Sequence, residues 1–176
     1  MTREDAYYYK ILLSMGFDDG YYEWLDGFLT EEDPLSDIVL ELSLCGSNVD
    51  ETIRLLHNYC AEEEFDDGAV GERIRLFLRD GYKSGRFTKD EVISLMYNIA
   101  MPCIEHEGFE AKIWCDMFYM EDYYSMAGGI LAAKKFDRMF HDFLNHGKPI
   151  GDPLAEQNGK KTWFDKLNEA IKKLFS

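Results

Sequence analysis

Basic side chains are scarce at the start of this chain: residues 1–67 hold three, Arg3, Lys10 and Arg54, against 18 aspartates and glutamates. Residues 68–176 hold 16 of each sign, so the net charge of −15 belongs to roughly the first third. A surface so poor in lysine and arginine does not suit a phosphate backbone, which needs basic groups in excess. It suits cations and basic protein surfaces.

Other absences narrow the class further. No run of 18 apolar residues is present, which excludes a membrane-spanning helix. Met1-Thr2-Arg3-Glu4-Asp5 opens no apolar stretch of the secretory kind. The four cysteines, Cys45, Cys60, Cys103 and Cys115, include no close pair and are expected as free thiols of a reducing cytoplasm. Zinc spacings such as C-x-x-C, H-x-x-x-H and H-E-x-x-H are missing, so His106 and Glu107 between Cys103 and Cys115 are expected at the surface. None of the four histidines follows a glutamate by three positions, the pair that carboxylate-bridged metals use in helical bundles. Neither acidic run has the alternating oxygen ligands, central glycine and closing glutamate of a calcium loop. Gly128-Gly129 lacks the lysine and further glycines of a phosphate cradle. No cofactor and no catalytic residue is therefore expected. His57 and Cys60, three apart on one helix, could touch, but Cys60 is read as a buried thiol on the apolar face rather than a nucleophile.

What is present favours helices. Hydrophobic residues make up 46% and aromatics 15%, with eleven Tyr and twelve Phe to supply core area. A chain of 176 residues suits one domain. Runs of β-branched residues alternating with polar ones are few. The expectation is a single all-α domain, a globular bundle of about nine helices, with stacked helical hairpins as one arrangement.

The clearest start signal is Thr88-Lys89-Asp90-Glu91, a capping box between two helices that span Phe65 to Ala100. Phe87 and Val92 stand where a hydrophobic staple would fix the entry angle, and Gly81 and Gly85 are expected to loosen the chain before it. Upstream, Thr2 and Gly16 bracket a first helix, and Asp18-Asp19 open a second that ends near Thr30. Glu31 to Pro34 marks a third start, and Gly46 its end. Asn48, with Glu51 three residues on, caps a fourth. Downstream, Pro102 is expected to break its helix. One helix should run from about Phe109 to Met126. Another should turn Leu131, Phe136, Met139, Phe140, Phe143 and Leu144 inward and end at Gly147.

Residues 148–161 read as a linker. Residues 162–175 read as an amphipathic helix, its stripe of Phe164, Leu167, Ile171 and Leu174 flanked by Lys160, Lys161, Lys166, Lys172 and Lys173. That stripe is expected to dock on the core rather than on a membrane. Phe17-Asp18-Asp19-Gly20 recurs as Phe65-Asp66-Asp67-Gly68, an echo that would fit a duplicated hairpin.

Candidate contacts follow from charge and from tyrosine. Asp18, Asp19, Glu23 and Asp26 form one acidic set with Tyr21 and Tyr22; Glu62, Glu63, Glu64, Asp66 and Asp67 form another. Acids at helix starts complement the dipole. Acids interleaved with exposed tyrosines also make protein-binding surfaces, since tyrosine supplies contact area at low entropic cost. Helical geometry should leave part of the triplet Tyr7-Tyr8-Tyr9 facing solvent.

With the helix start Glu32-Asp33-Pro34-Leu35, this acidic all-α chain resembles the helical proteins encoded beside bacterial polymorphic toxins, among which immunity proteins are common. The resemblance covers residues 30–60 and composition, and it carries no functional residue over. It implies a non-enzymatic inhibitor that covers a basic surface of a partner toxin, often a nuclease, with no direct contact to nucleic acid. A carboxylate–metal enzyme of helical-bundle type and a DNA-mimicking inhibitor are the alternatives.

Overall fold

A computed structural model describes residues 1–31 and 34–150. The described secondary structure is all-α: α1 Arg3–Ser14, α2 Tyr21–Glu31, α3 Asp37–Cys45, α4 Val49–Ala61, α5 Asp67–Lys83, α6 Lys89–Glu105, α7 Lys112–Phe118, α8 Met120–Met126 and α9 Ile130–His146. Neighbours in space are not simply neighbours in sequence. α1 lies against α4 and α5, α3 against α2 and α4, and α5 also meets α6, α7 and α9. The core follows from this crossing: Leu12, Leu56, Ile74, Leu78, Met96, Trp114, Phe140 and Phe143 are all fully buried.

Local chemistry places the helix starts. The Thr2 side chain accepts from the Asp5 amide, Asn48 from that of Glu51 and Asp66 from that of Ala69. At Thr88 both halves of the capping box are made: the hydroxyl accepts from the Glu91 amide at 3.3 Å, and the Thr88 amide donates to the Glu91 carboxylate at 2.8 Å. α5 stops at Lys83, just short of Gly85, whose φ of +78° lets the chain turn. At the end of α9 the buried Arg75 guanidinium donates to the Phe143 and Leu144 carbonyls, a positive charge on the negative end of the helix.

Several expectations are corrected. Pro102 lies inside α6 rather than ending it. Its missing N–H leaves the Asn98 carbonyl unpaired in the ladder, and Asn98 is on the exposed face where water can serve instead. α3 begins at Asp37, with Ser36 as its cap, so Pro34 precedes the helix. The helix expected from Phe109 to Met126 starts at Lys112 and breaks at Tyr119, between the fully buried Met117 and Met120. Leu131 is 85% exposed. Five residues before Phe136 it sits about 140° around α9 from the buried stripe. Gly81 does not loosen its helix: the Phe87 ring fills the space its side chain would take, 2.2 Å from an ideal Cβ. The echoed tetrapeptides fold differently, since Gly20 lies in a turn at φ +71° while Gly68 is inside α5. The amphipathic segment 162–175 and most of the linker lie outside the described residues.

Candidate functional site

The second acidic set converges with a loop that sequence reasoning had not joined to it. The α4–α5 connection meets the α6–α7 connection, and Asp67 fastens them. Its Oδ2 accepts from the amides of Glu110 at 3.0 Å and Ala111 at 3.2 Å, and its carbonyl accepts from Trp114 Nε1 at 3.1 Å. Between the loops lies an open groove of about 610 Å³ lined by Glu62, Glu63, Glu64, Phe65, Asp67, Phe109 and Glu110, with Ala61 and Gly108. Phe65, Phe109 and Tyr7 form an aromatic cluster, with ring centroids 5.0 to 5.7 Å apart.

The carboxylates around the groove differ in role. Glu62 and Glu63 sit 3.1 and 3.8 Å from Arg3, whose guanidinium stacks over Tyr59 at 3.4 Å. Asp66 is an N-cap, and Asp67 is tied to backbone amides, so both act first in the fold. Glu64 and Glu110 are exposed and form no ion pair among the described residues. These two, with the outer faces of Glu62 and Glu63, supply the negative charge that a ligand would meet. Phe109 and Glu110 were missed from sequence; their loop lies some 45 residues away and shows no composition signal.

Beside the groove lies a second cluster that no sequence pattern announced. Lys10 Nζ donates to the Tyr7 hydroxyl at 3.0 Å and to Glu107 at 2.8 Å, and His57 Nδ1 approaches the same carboxylate at 3.7 Å. Burial acts to raise the Glu107 pKa, but the hydrogen bond and charge of Lys10 outweigh it and hold that carboxyl below its usual range. Burial pushes the neighbouring Cys60 and Cys103 thiols up to about 12. Both stay protonated at neutral pH, which removes the thiolate that a Cys60–His57 nucleophile would need. Among the described residues no three His, Cys, Asp or Glu side chains stand where they could hold a metal ion.

The first acidic set is elsewhere. Asp19 binds Arg86 just beyond the far end of α1, whereas Glu62 binds Arg3 at its start, so about 18 Å of helix separates the two sets. The Arg86 hydrogen bond holds the Asp19 carboxyl below its usual range. Asp18, Glu23 and Asp26 are exposed, and Tyr22 is 44% exposed. Tyr21 is a correction: only 3% exposed, it packs against Tyr9 and Trp24 in the core and offers no contact surface.

Of the tyrosine triplet, Tyr7 and Tyr9 are buried, and only Tyr8, half-covered by Arg73 at 4.1 Å, keeps the partial exposure that helical geometry requires. α1 is enclosed by α4 and α5, with Trp24 of α2 against Tyr9, so hardly any face of it meets water.

No protein-family model, no curated protein and no solved structure matches this chain. Among the described residues no helix is long and apolar enough to cross a membrane.

Proposed function

We propose that this protein is a non-enzymatic binding module whose acidic groove receives a basic segment of a protein partner, in the manner of an immunity-type inhibitor covering a basic toxin surface. The observation that carries this is the groove between the α4–α5 and α6–α7 loops, where Glu62, Glu63, Glu64 and Glu110 surround Phe65 and Phe109. Carboxylates beside aromatic rings suit arginine best. A guanidinium can pair with the former and stack on the latter, as Arg3 already does with Glu62 and Tyr59 at the groove edge. The Asp67 bonds hold both loops before any partner arrives, so less ordering remains to oppose binding. The −15 charge adds long-range attraction that speeds encounter with a basic partner.

The test uses the product of the reading frame beside this one as the candidate partner. The two should form a stable complex, with association slowing about tenfold or more between low and high salt. Replacing Glu62, Glu63, Glu64 and Glu110 together by glutamine should weaken binding at least about tenfold, since several charge contacts are lost at once. The melting temperature should hold, because none of the four is buried. Affinity indifferent to both salt and these substitutions overturns the proposal.

A further inference from the structure

α3 carries apolar side chains on two faces. Val39 and Leu42 are buried in the core, while Leu40 and Leu44, one turn apart on the other side, are 48% and 78% exposed. Asp37 and Glu41 share that outer face with them, at helical spacing. Beside Leu44 lies an open hollow of about 440 Å³ between α3 and α4, with Glu41, Cys45, Glu51 and the half-buried Leu55 among its walls.

The charge around this ridge has one sign. α3 packs on α2 and α4, and the three helices together carry seven aspartates and glutamates against a single Lys or Arg. That one cation, Arg54, is held by Glu51 through two hydrogen bonds. The exposed apolar pair Met126 and Leu131 has no such bias, because α8 and α9 set Glu121, Asp122 and Asp137 there against Lys134, Lys135 and Arg138. An apolar ridge with an unbroken acidic rim specifies its complement more closely than a mixed one does.

We infer that the Leu40–Leu44 ridge docks a basic amphipathic helix of a second protein. The partner's apolar side chains, three and four residues apart, cover the two leucines and enter the hollow, and its flanking lysines or arginines meet Asp37 and Glu41. Leucines four apart form the kind of ridge that a facing helix takes between its own side chains, and recognition of a helix in a groove reads anchors at that spacing. A second copy of this chain fits worse. Joined ridge to ridge, it would set Asp37 and Glu41 against their own counterparts, with Arg54 already taken. The surface stands apart from the groove at Glu62–Glu64, which opens at the C-terminal end of α4, whereas the hollow lies along its first half.

The probe is a synthetic peptide of leucine and lysine, about five helical turns long, with its leucines on one face. Its binding to the full chain is read by fluorescence anisotropy. It should bind, and a shuffled peptide of the same composition, which has no apolar face, should bind at least about tenfold more weakly. Leu44→Asp and Glu41→Lys should each lower the affinity about tenfold, through a lost anchor and a reversed charge. The melting temperature should hold, because both side chains are exposed. Replacing Glu62, Glu63, Glu64 and Glu110 by glutamine should change the affinity less than about threefold, since those sites are distant. Absence of binding, equal affinity for the shuffled peptide, or loss of binding with the groove substitutions overturns the inference. So does a dimer that Leu44→Asp turns into a monomer, which assigns the ridge to a second copy. A melting temperature lowered by Leu44→Asp overturns it too, by assigning the ridge to a segment of this same chain.

Discussion

Two glycines on α5 act through the side chain they lack. An ideal Cβ on Gly81 would stand 2.2 Å from Phe87, and one on Gly71 would stand 2.4 Å from Ile113. No rotamer of a phenylalanine ring yields that much space cheaply, so Gly81→Ala should destabilise the fold by about 1–3 kcal/mol, the range for overpacking a close-packed core. Gly27 in α2 is the control, because nothing lies within 4 Å of its Cβ position. Gly27→Ala should raise stability by about 0.5–1 kcal/mol through helix propensity alone. Thermal melting of the two variants checks the pair, and equal effects would mean that the notch at Gly81 is not tight. Sequence shows both residues as glycine in a helical stretch and cannot tell them apart. The difference is the Phe87 ring, brought in from outside the helix against Gly81, where Gly27 faces open space.

Among the helices, the starts were the legible part. A cap is a contract between residues three apart, so Thr2, Asn48 and Thr88 announce it within a few letters. Breaks and register were less so: Tyr119 divides α7 from α8 without a Gly or Pro, and Pro102 sits in α6 where a break was expected. The groove was half legible. Its acids stand in a visible run, but Asp67 joins Glu110 across 43 positions, and Lys10 joins Glu107 across 97. Nothing local encodes such pairings. Arg75 is another, bound to the last turn of α9 from α5. Arg75→Met should cost about 2 kcal/mol, because buried carbonyls lose a charged donor. Hydrogen exchange should show α9 loosening before the rest of the molecule. Uniform loosening, or none, would contradict this role.

Across the whole molecule, acid should weaken the fold in a way that can be assigned. The carboxyl of Glu107 is held below its ordinary value of 4.5 by Lys10. A depressed carboxyl contributes its full stabilisation above the unfolded value and loses it as pH falls through the folded one. Lys10→Met should therefore lower the melting temperature more at pH 7 than at pH 3; an equal loss at both would show that Lys10 contributes only packing. The α5 notches reach further still, into how this chain can change over generations. Gly81 must be exchanged together with Phe87 or kept, and Gly71 likewise with Ile113, whereas exposed acids such as Glu23, Glu63 and Glu64 can each drift with little effect on folding. A saturation library selected for folding alone should thus retain the notch residues and scatter the acids. Distant kin of this chain would then be recognised by the spacing of its glycines and rings, long after their charge had changed to suit other partners.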